Sequence, residues 1–125
     1  MRVVIDTNVL LVSISPRSQS YWLWQSLLAG DFDLYLTTDI LDEYEEITGR
    51  EMGEEVADAA LDLMLELPNV HLVRKHFLWQ IIEEDPDDNK FVDCAIAAAA
   101  HFLVSEDKHF RAILKYPYFS KIRRV

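Results

Sequence analysis

Alternation restricts the fold of this chain more than any other feature. Short runs of apolar, β-branched residues recur between stretches with helical spacing. Val3-Val4-Ile5 reads as a buried strand, followed by the polar triplet Asp6-Thr7-Asn8 and an apolar run, Val9 to Val12. Ser20 to Gly30 has helical spacing, with Ser20 as N-cap and Gly30 as C-terminal stop. Leu34-Tyr35-Leu36 is a second strand. Thr38 then caps a helix over Asp39 to Thr48, whose Ile40, Leu41, Tyr44 and Ile47 fall on one side. Gly49 and Gly53 bracket a turn before an acidic amphipathic helix, Glu54 to Leu67, ended by Pro68. Val70 to Val73 is a third strand, Pro86 marks a loop, and Phe91 to His101 is an alanine-rich helix. Phe102 to Val104 is a fourth strand, Lys108 to Leu114 a short helix, and Lys121 to Val125 a last edge strand. Strands that read as unbroken apolar runs are buried on both faces, which is the habit of parallel sheets covered by helices. The expectation is a three-layer α/β/α domain with a central, mainly parallel sheet of four to five strands, residues 1–125 forming a single domain.

Composition agrees. The chain has 125 residues, of which 50% are hydrophobic and 27% charged, enough for a core and too apolar for wholesale disorder. Lys and Arg number 12 against 22 Asp and Glu, a net charge of −10. A protein that coats nucleic acid by bulk electrostatics should be basic, so that class is excluded. Cys94 is the sole cysteine, so no intramolecular disulfide forms, and a reducing, cytoplasmic setting is expected. Asp6 interrupts the first apolar run, which therefore lacks the form of a signal peptide. Uncharged stretches fall short of the roughly 20 residues of a membrane span, so no membrane partner is expected.

Most acids here belong to solvated faces; Asp58, Asp62 and Glu66 line the outer side of an amphipathic helix. Three break that pattern. Asp6 is the only charge between Val3 and Pro16, and Asp93 the only formal charge between Phe91 and Val104. Asp107 lies just past a strand, where a parallel sheet presents its carboxyl ends. An isolated carboxylate in apolar surroundings costs several kcal/mol unless it is hydrogen-bonded, paired or coordinated. Ligands in open α/β sheets bind outside those carboxyl ends. Each acid also has a plain structural reading: Asp6 and Asp107 as helix caps, Asp93 as a first-turn residue favoured by the helix dipole. Three together favour a metal cluster. On the helix after Thr38, Asp42 and Glu46 face away from the apolar stripe, while Glu43 and Glu45 both flank it, and helical geometry does not choose between them. Glu83-Glu84-Asp85-Pro86-Asp87-Asp88 forms an acidic loop whose last member, Asp88, stands just before the alanine-rich helix.

Taken in order, four segments resemble the PIN-domain nucleases. VVIDTNVLL resembles that family's opening strand, with Asp6 as first metal-site acid and Asn8 as a polar residue shaping the site. LTTDILDEYEEI resembles the second motif, where a Ser or Thr precedes the acid by five positions; Thr38 and Glu43 match that spacing, which selects Glu43. DNKFVDCAIAAAA resembles the third motif, an acid opening an alanine-rich helix, and FLVSEDKHF the fourth, with Ser105 and Asp107. The segment 85–110 is similar to the subgroup of VapC-like toxin components of toxin–antitoxin systems. Asp93 fits the third motif by burial, and Asp88 stays open as a supporting or alternative ligand. His101 stands where the subgroup often has an acid.

The resemblance implies metal-dependent hydrolysis of RNA by an endoribonuclease. Asp6, Asp93 and Asp107 would be metal ligands, and Glu43 a ligand or a residue orienting water. Thr7, Asn8, Thr38 and Ser105 would support the carboxylates. Carboxylates without His or Cys are hard oxygen ligands that suit Mg²⁺ or Mn²⁺, one ion or two. Arg17, Lys90 and Lys108 lie close in sequence to the motifs and are candidate phosphate contacts. The implied partners are the RNA substrate and an antitoxin protein. A homodimer or higher oligomer is expected as well, because Tyr21, Trp22 and Trp24 crowd one short helix. Neighbouring helical positions point about 100° apart, so at least one of Trp22 and Trp24 should lie outside the core. The competing functions are a non-catalytic interaction domain of the same fold and an aspartate-based phosphatase or receiver domain. The phosphatase would require an acid where this chain has Asn8.

Overall fold

A computed structural model describes residues 1–74 and 89–105 and the backbone of 123–124. The strands are β1 (Arg2–Ile5), β2 (Asp33–Leu36), β3 (Val70–Leu72), β4 (Phe102–Ser105) and β5 (Arg123–Arg124). The helices are α1 (Thr7–Ile14), α2 (Tyr21–Leu28), α3 (Thr38–Met52), α4 (Glu54–Glu66) and α5 (Asn89–Ala97). The acidic loop at 83–88 and the helix expected over 108–114 lie outside the described residues.

The strands form one sheet in the order β3-β2-β1-β4-β5, and every pairing is parallel. β1 sits at the centre, where Val3, Val4 and Ile5 are almost wholly buried. Parallel strands need crossovers, and right-handed crossovers fix which face each helix covers. The path from β1 outward through β2 to β3 carries α1 to α4; the return to β4 on the other side of β1 carries α5. Opposite directions of travel put the two groups of helices on opposite faces, which is the expected three-layer domain. α5 packs across β1, β2 and β4, and α3 packs on both α1 and α4.

Several boundaries differ from the sequence expectation for clear physical reasons. The N-cap of α3 is Thr37, not Thr38. Thr37 is buried, and its hydroxyl donates to the Asp39 carboxylate, whose Oδ1 accepts the Ile40 N–H at 3.1 Å. Thr38 is the first helical residue and is exposed. α3 also runs past Thr48 to Met52, so Gly49 is helical and not part of a turn. A Cβ at Gly49 would stand 3.9 Å from Ala57 Cβ, ordinary contact with the facing helix α4. Only Gly53, at φ +94°, makes the turn itself. α5 starts and stops earlier than expected; its end is marked by Ala99 at φ +50°.

Trp24 is buried and Trp22 is 56% exposed, so α2 does turn one of its tryptophans out of the core. No helix among the described residues is long and apolar enough to cross a membrane.

Candidate functional site

The order of strands reverses at β1, between β2 on one side and β4 on the other. Such a reversal opens a crevice at the carboxyl ends of the two strands. Asp6 directly follows β1, and Ser105 is the last residue of β4. The Asp6 N–H donates to the Val104 carbonyl at 2.9 Å, extending the ladder one residue beyond the strand. Asp6 occupies the N-cap position of α1, yet its side chain makes no capping hydrogen bond. Instead Oδ2 accepts from Ser105 Oγ at 2.9 Å, and both residues are buried. The capping explanation of Asp6 therefore does not hold.

Asp93 is 3% exposed. It is the fifth residue of α5 and lies beyond the first turn, so a favourable helix dipole does not account for it. Its helix packs on β1, which Asp6 follows, and on β4, which ends at Ser105.

The next group involves α1, α3 and α5. Thr7 is buried at the start of α1, and its hydroxyl donates to Glu43 Oε2. Lys90, in the first turn of α5, places its ammonium 2.8 Å from Glu43 Oε1. Glu45, Asp42 and Glu46 are exposed. Of the two acids flanking the stripe of α3, only Glu43 turns toward α1 and α5.

Sequence reasoning assigned Tyr44 only to the core. It is fully buried, and its hydroxyl donates to the Ile5 carbonyl, the peptide group immediately before Asp6. Burial raises its pKa well above the ordinary 10.0, and the charges of Cys94, Asp6 and Glu43 push it in the same direction. Tyr44 thus links α3, through its hydroxyl, to the end of the strand that Asp6 follows. A tyrosine in an otherwise aliphatic stripe was the available signal, because a buried phenol needs an acceptor.

Other candidates are placed apart. Asn8 is exposed in the first turn of α1, and Arg17 is exposed beyond the far end of that helix. His101 stands at the amino end of β4, where its Nδ1 accepts the Arg2 N–H at 2.8 Å. That end of a parallel sheet is opposite to Asp6, so His101 ties two strands together and is not a site residue. Asp88, Asp107 and Lys108 lie outside the described residues.

The donors available are carboxylate oxygens, whose chemistry fits a hard divalent ion better than zinc. Among the described residues, no three Asp, Glu, His or Cys stand close enough to hold an ion by themselves.

A family model described as a PIN domain matches residues 2–109. The fold is similar to a chain in the crystal structure of VapBC2 from Rickettsia felis bound to a DNA fragment from their promoter. The TM-score is 0.69 at 19% identity, covering 100% of this chain and 99% of that one. No curated protein matches the sequence significantly.

Proposed function

The chain belongs to the PIN-domain family, and from that premise we propose that it is a divalent-metal-dependent endoribonuclease and the toxin component of a toxin–antitoxin pair. One observation carries the reading: a buried aspartate, Asp6, at the carboxyl end of the central strand, held by a hydroxyl from the adjacent strand and not by a helix cap. Buried Asp93 and the Thr7-bound Glu43 support it. Family members are generally nucleases that depend on a divalent metal.

Asp6, Asp93 and Asp107 would hold the ion, with Glu43 as a further ligand or as the group orienting water. Asp88 would support them or replace Asp93. When bound, Mg²⁺ or Mn²⁺ supplies an activated water and neutralises charge on the phosphodiester. The protein's own contribution is orientation. Ser105 fixes the Asp6 carboxylate, Thr7 fixes Glu43, and Tyr44 holds the backbone from which Asp6 projects. Asn8, exposed in the first turn of α1, would contact the substrate. Arg17 and Lys108 would meet phosphates, and with a net charge of −10 the protein should bind RNA weakly and in a salt-sensitive way.

The partners proposed are RNA, an antitoxin protein and a second copy of the chain. The exposed Trp22 would serve one of the two protein interfaces. The VapBC2 complex that shares the fold supports the antitoxin partner. A cytoplasmic setting follows from that role.

The test is cleavage of end-labelled RNA in Mn²⁺ and Mg²⁺, with chelator and Asp6→Asn controls. Cleavage abolished by both controls is expected. Absence of cleavage by the wild type with either ion, over single-stranded and hairpin substrates, would defeat the reading.

A further inference from the structure

Lys90 was expected to be a phosphate contact, but its ammonium is on Glu43. The distance of 2.8 Å to Oε1 is that of a charge-assisted hydrogen bond. The second oxygen, Oε2, accepts from Thr7. Both oxygens of Glu43 are therefore engaged by the protein itself, one of them by a cation. The side chains are 17% and 25% exposed, so water and salt screen this pair less than an open surface pair.

Lys90 stands one helical turn before Asp93, and residues three apart share a helix face. One face of α5 thus carries both an ammonium and a buried carboxylate, and α5 packs on α3, the helix of Glu43. A positive charge thus sits directly on Glu43, one of the carboxylates that the proposed function assigns to a divalent ion. The carboxylate can satisfy the ammonium or an incoming ion, but two cations on one small group repel each other strongly where water is scarce.

We propose that Lys90 is a resident counter-cation: it holds Glu43 in the metal-free protein, and a divalent ion engages Glu43 only by displacing it. The proposal rests on the metal-dependent reading above and adds a regulation of the same site. It makes Lys90 a positioning residue acting through Glu43. It also gives the acidic group partial neutralisation without metal, at the expense of metal affinity. A purely structural role, a clamp between α3 and α5, would predict no change in affinity when the charge is removed.

Calorimetric titration with Mn²⁺ separates the two. Lys90→Met should bind Mn²⁺ roughly tenfold tighter than wild type, a coupling of ordinary size between two ligands of one site. Its Tm in chelator should be lower, and its gain in Tm on saturation with Mn²⁺ larger. In a Glu43→Gln background the same substitution should leave Mn²⁺ affinity unchanged. Unaltered or weaker affinity in Lys90→Met would overturn the proposal.

A second measurement needs no variant. Acetic anhydride labelling of the wild type, read by mass spectrometry at Lys90, should rise severalfold on adding Mn²⁺; equal labelling with and without Mn²⁺ overturns the displacement. If the wild type binds no Mn²⁺ at all, the metal-dependent reading falls, and this proposal with it. If the wild type binds Mn²⁺ and Lys90→Met binds no tighter, only this proposal falls.

Discussion

Ser105 and Asp6 are 99 residues apart in sequence, yet Ser105 Oγ donates to Asp6 Oδ2 at 2.9 Å, with both residues buried. The bond exists because β1 and β4 are parallel neighbours in a register that pairs Ile5 with Val104, so both chains reach the edge of the sheet together. A hydroxyl donor to a carboxylate fixes its rotamer and so orients it toward any ion it holds. Ser105→Ala should lower Mn²⁺ affinity about tenfold, the lower end of what outer partners of metal ligands contribute. The stability cost should be only about 1 kcal/mol. Calorimetry and thermal denaturation together check this. A large loss of stability with unchanged affinity would mean the bond serves folding alone.

Asp6→Asn should abolish hydrolysis while leaving thermal stability in chelator equal to or above that of the wild type. An amide keeps an acceptor for Ser105 and removes a carboxylate charge that burial disfavours. Residues arranged for function against stability commonly behave this way. The comparison is Tm of both proteins in EDTA. A clearly lower Tm for the variant would make Asp6 a structural residue.

Much of this was legible in the chain itself. The strand runs, being short and continuously apolar, identified a parallel sheet, and Asp6 and Asp93 stood out because charge is rare in such surroundings. Other features were not legible because they depend on side chains meeting across elements. Thr37 and Thr38 are adjacent and chemically alike, and only burial shows which one begins α3. Gly49 resembled a turn residue because its spacing says nothing of Ala57 on the facing helix. Helical periodicity does not separate Glu43 from Glu45; the motif spacing from Thr38 selects Glu43, but its contacts with Thr7 and Lys90 leave no mark in the sequence. Tyr44 was correctly placed in the core, but its acceptor, a strand-end carbonyl 39 residues away, has no local signature.

Tyr44→Phe should matter most at alkaline pH. The folded protein holds this phenol's pKa above its ordinary 10.0, first through burial and then through Cys94, Asp6 and Glu43. A raised pKa means the folded state retains the proton where the unfolded chain has lost it. The contribution to stability is full below the unfolded pKa and is lost as pH rises past about 10 toward the higher folded value. Wild-type stability should therefore fall on the alkaline side more steeply than that of Tyr44→Phe. At neutral pH the variant should be about 1–2 kcal/mol less stable, having left the Ile5 carbonyl without its donor. Urea denaturation at pH 7 and above pH 10 measures both, and parallel curves across that range would refute the assignment.

Thr48 should be replaceable with a gain. It lies on the buried side of α3, 1% exposed, one helical turn beyond Tyr44. Among the described residues its Oγ1 is the buried side-chain polar atom with no hydrogen-bond partner. Thr48→Val keeps the branched shape and removes the hydroxyl, and helix propensity barely changes between the two. The expected gain is about 1 kcal/mol, the lower part of the cost of an unsatisfied buried polar group. Equal or lower stability in denaturant would show that the hydroxyl is satisfied in solution.

Trp22 and Trp24 share one helix but should respond in opposite ways to truncation. Trp24 is 6% exposed and packs with the core, so Trp24→Ala should cost roughly 3–5 kcal/mol and lower Tm sharply. Trp22 is 56% exposed, so Trp22→Ala should leave the Tm of the isolated chain nearly unchanged. A large aromatic on the surface contributes to affinity when a partner buries it, and such residues carry a disproportionate share of binding energy. Light scattering across a concentration series should show wild-type self-association that Trp22→Ala weakens by at least tenfold in Kd, equivalent to about 1.4 kcal/mol. The exposed side chain has little else to hold in the monomer, which separates an interface effect from a folding effect. Should both proteins remain monomeric to the highest concentration reached, Trp22 belongs to no contact between copies, and the expectation of a homodimer through α2 is lost.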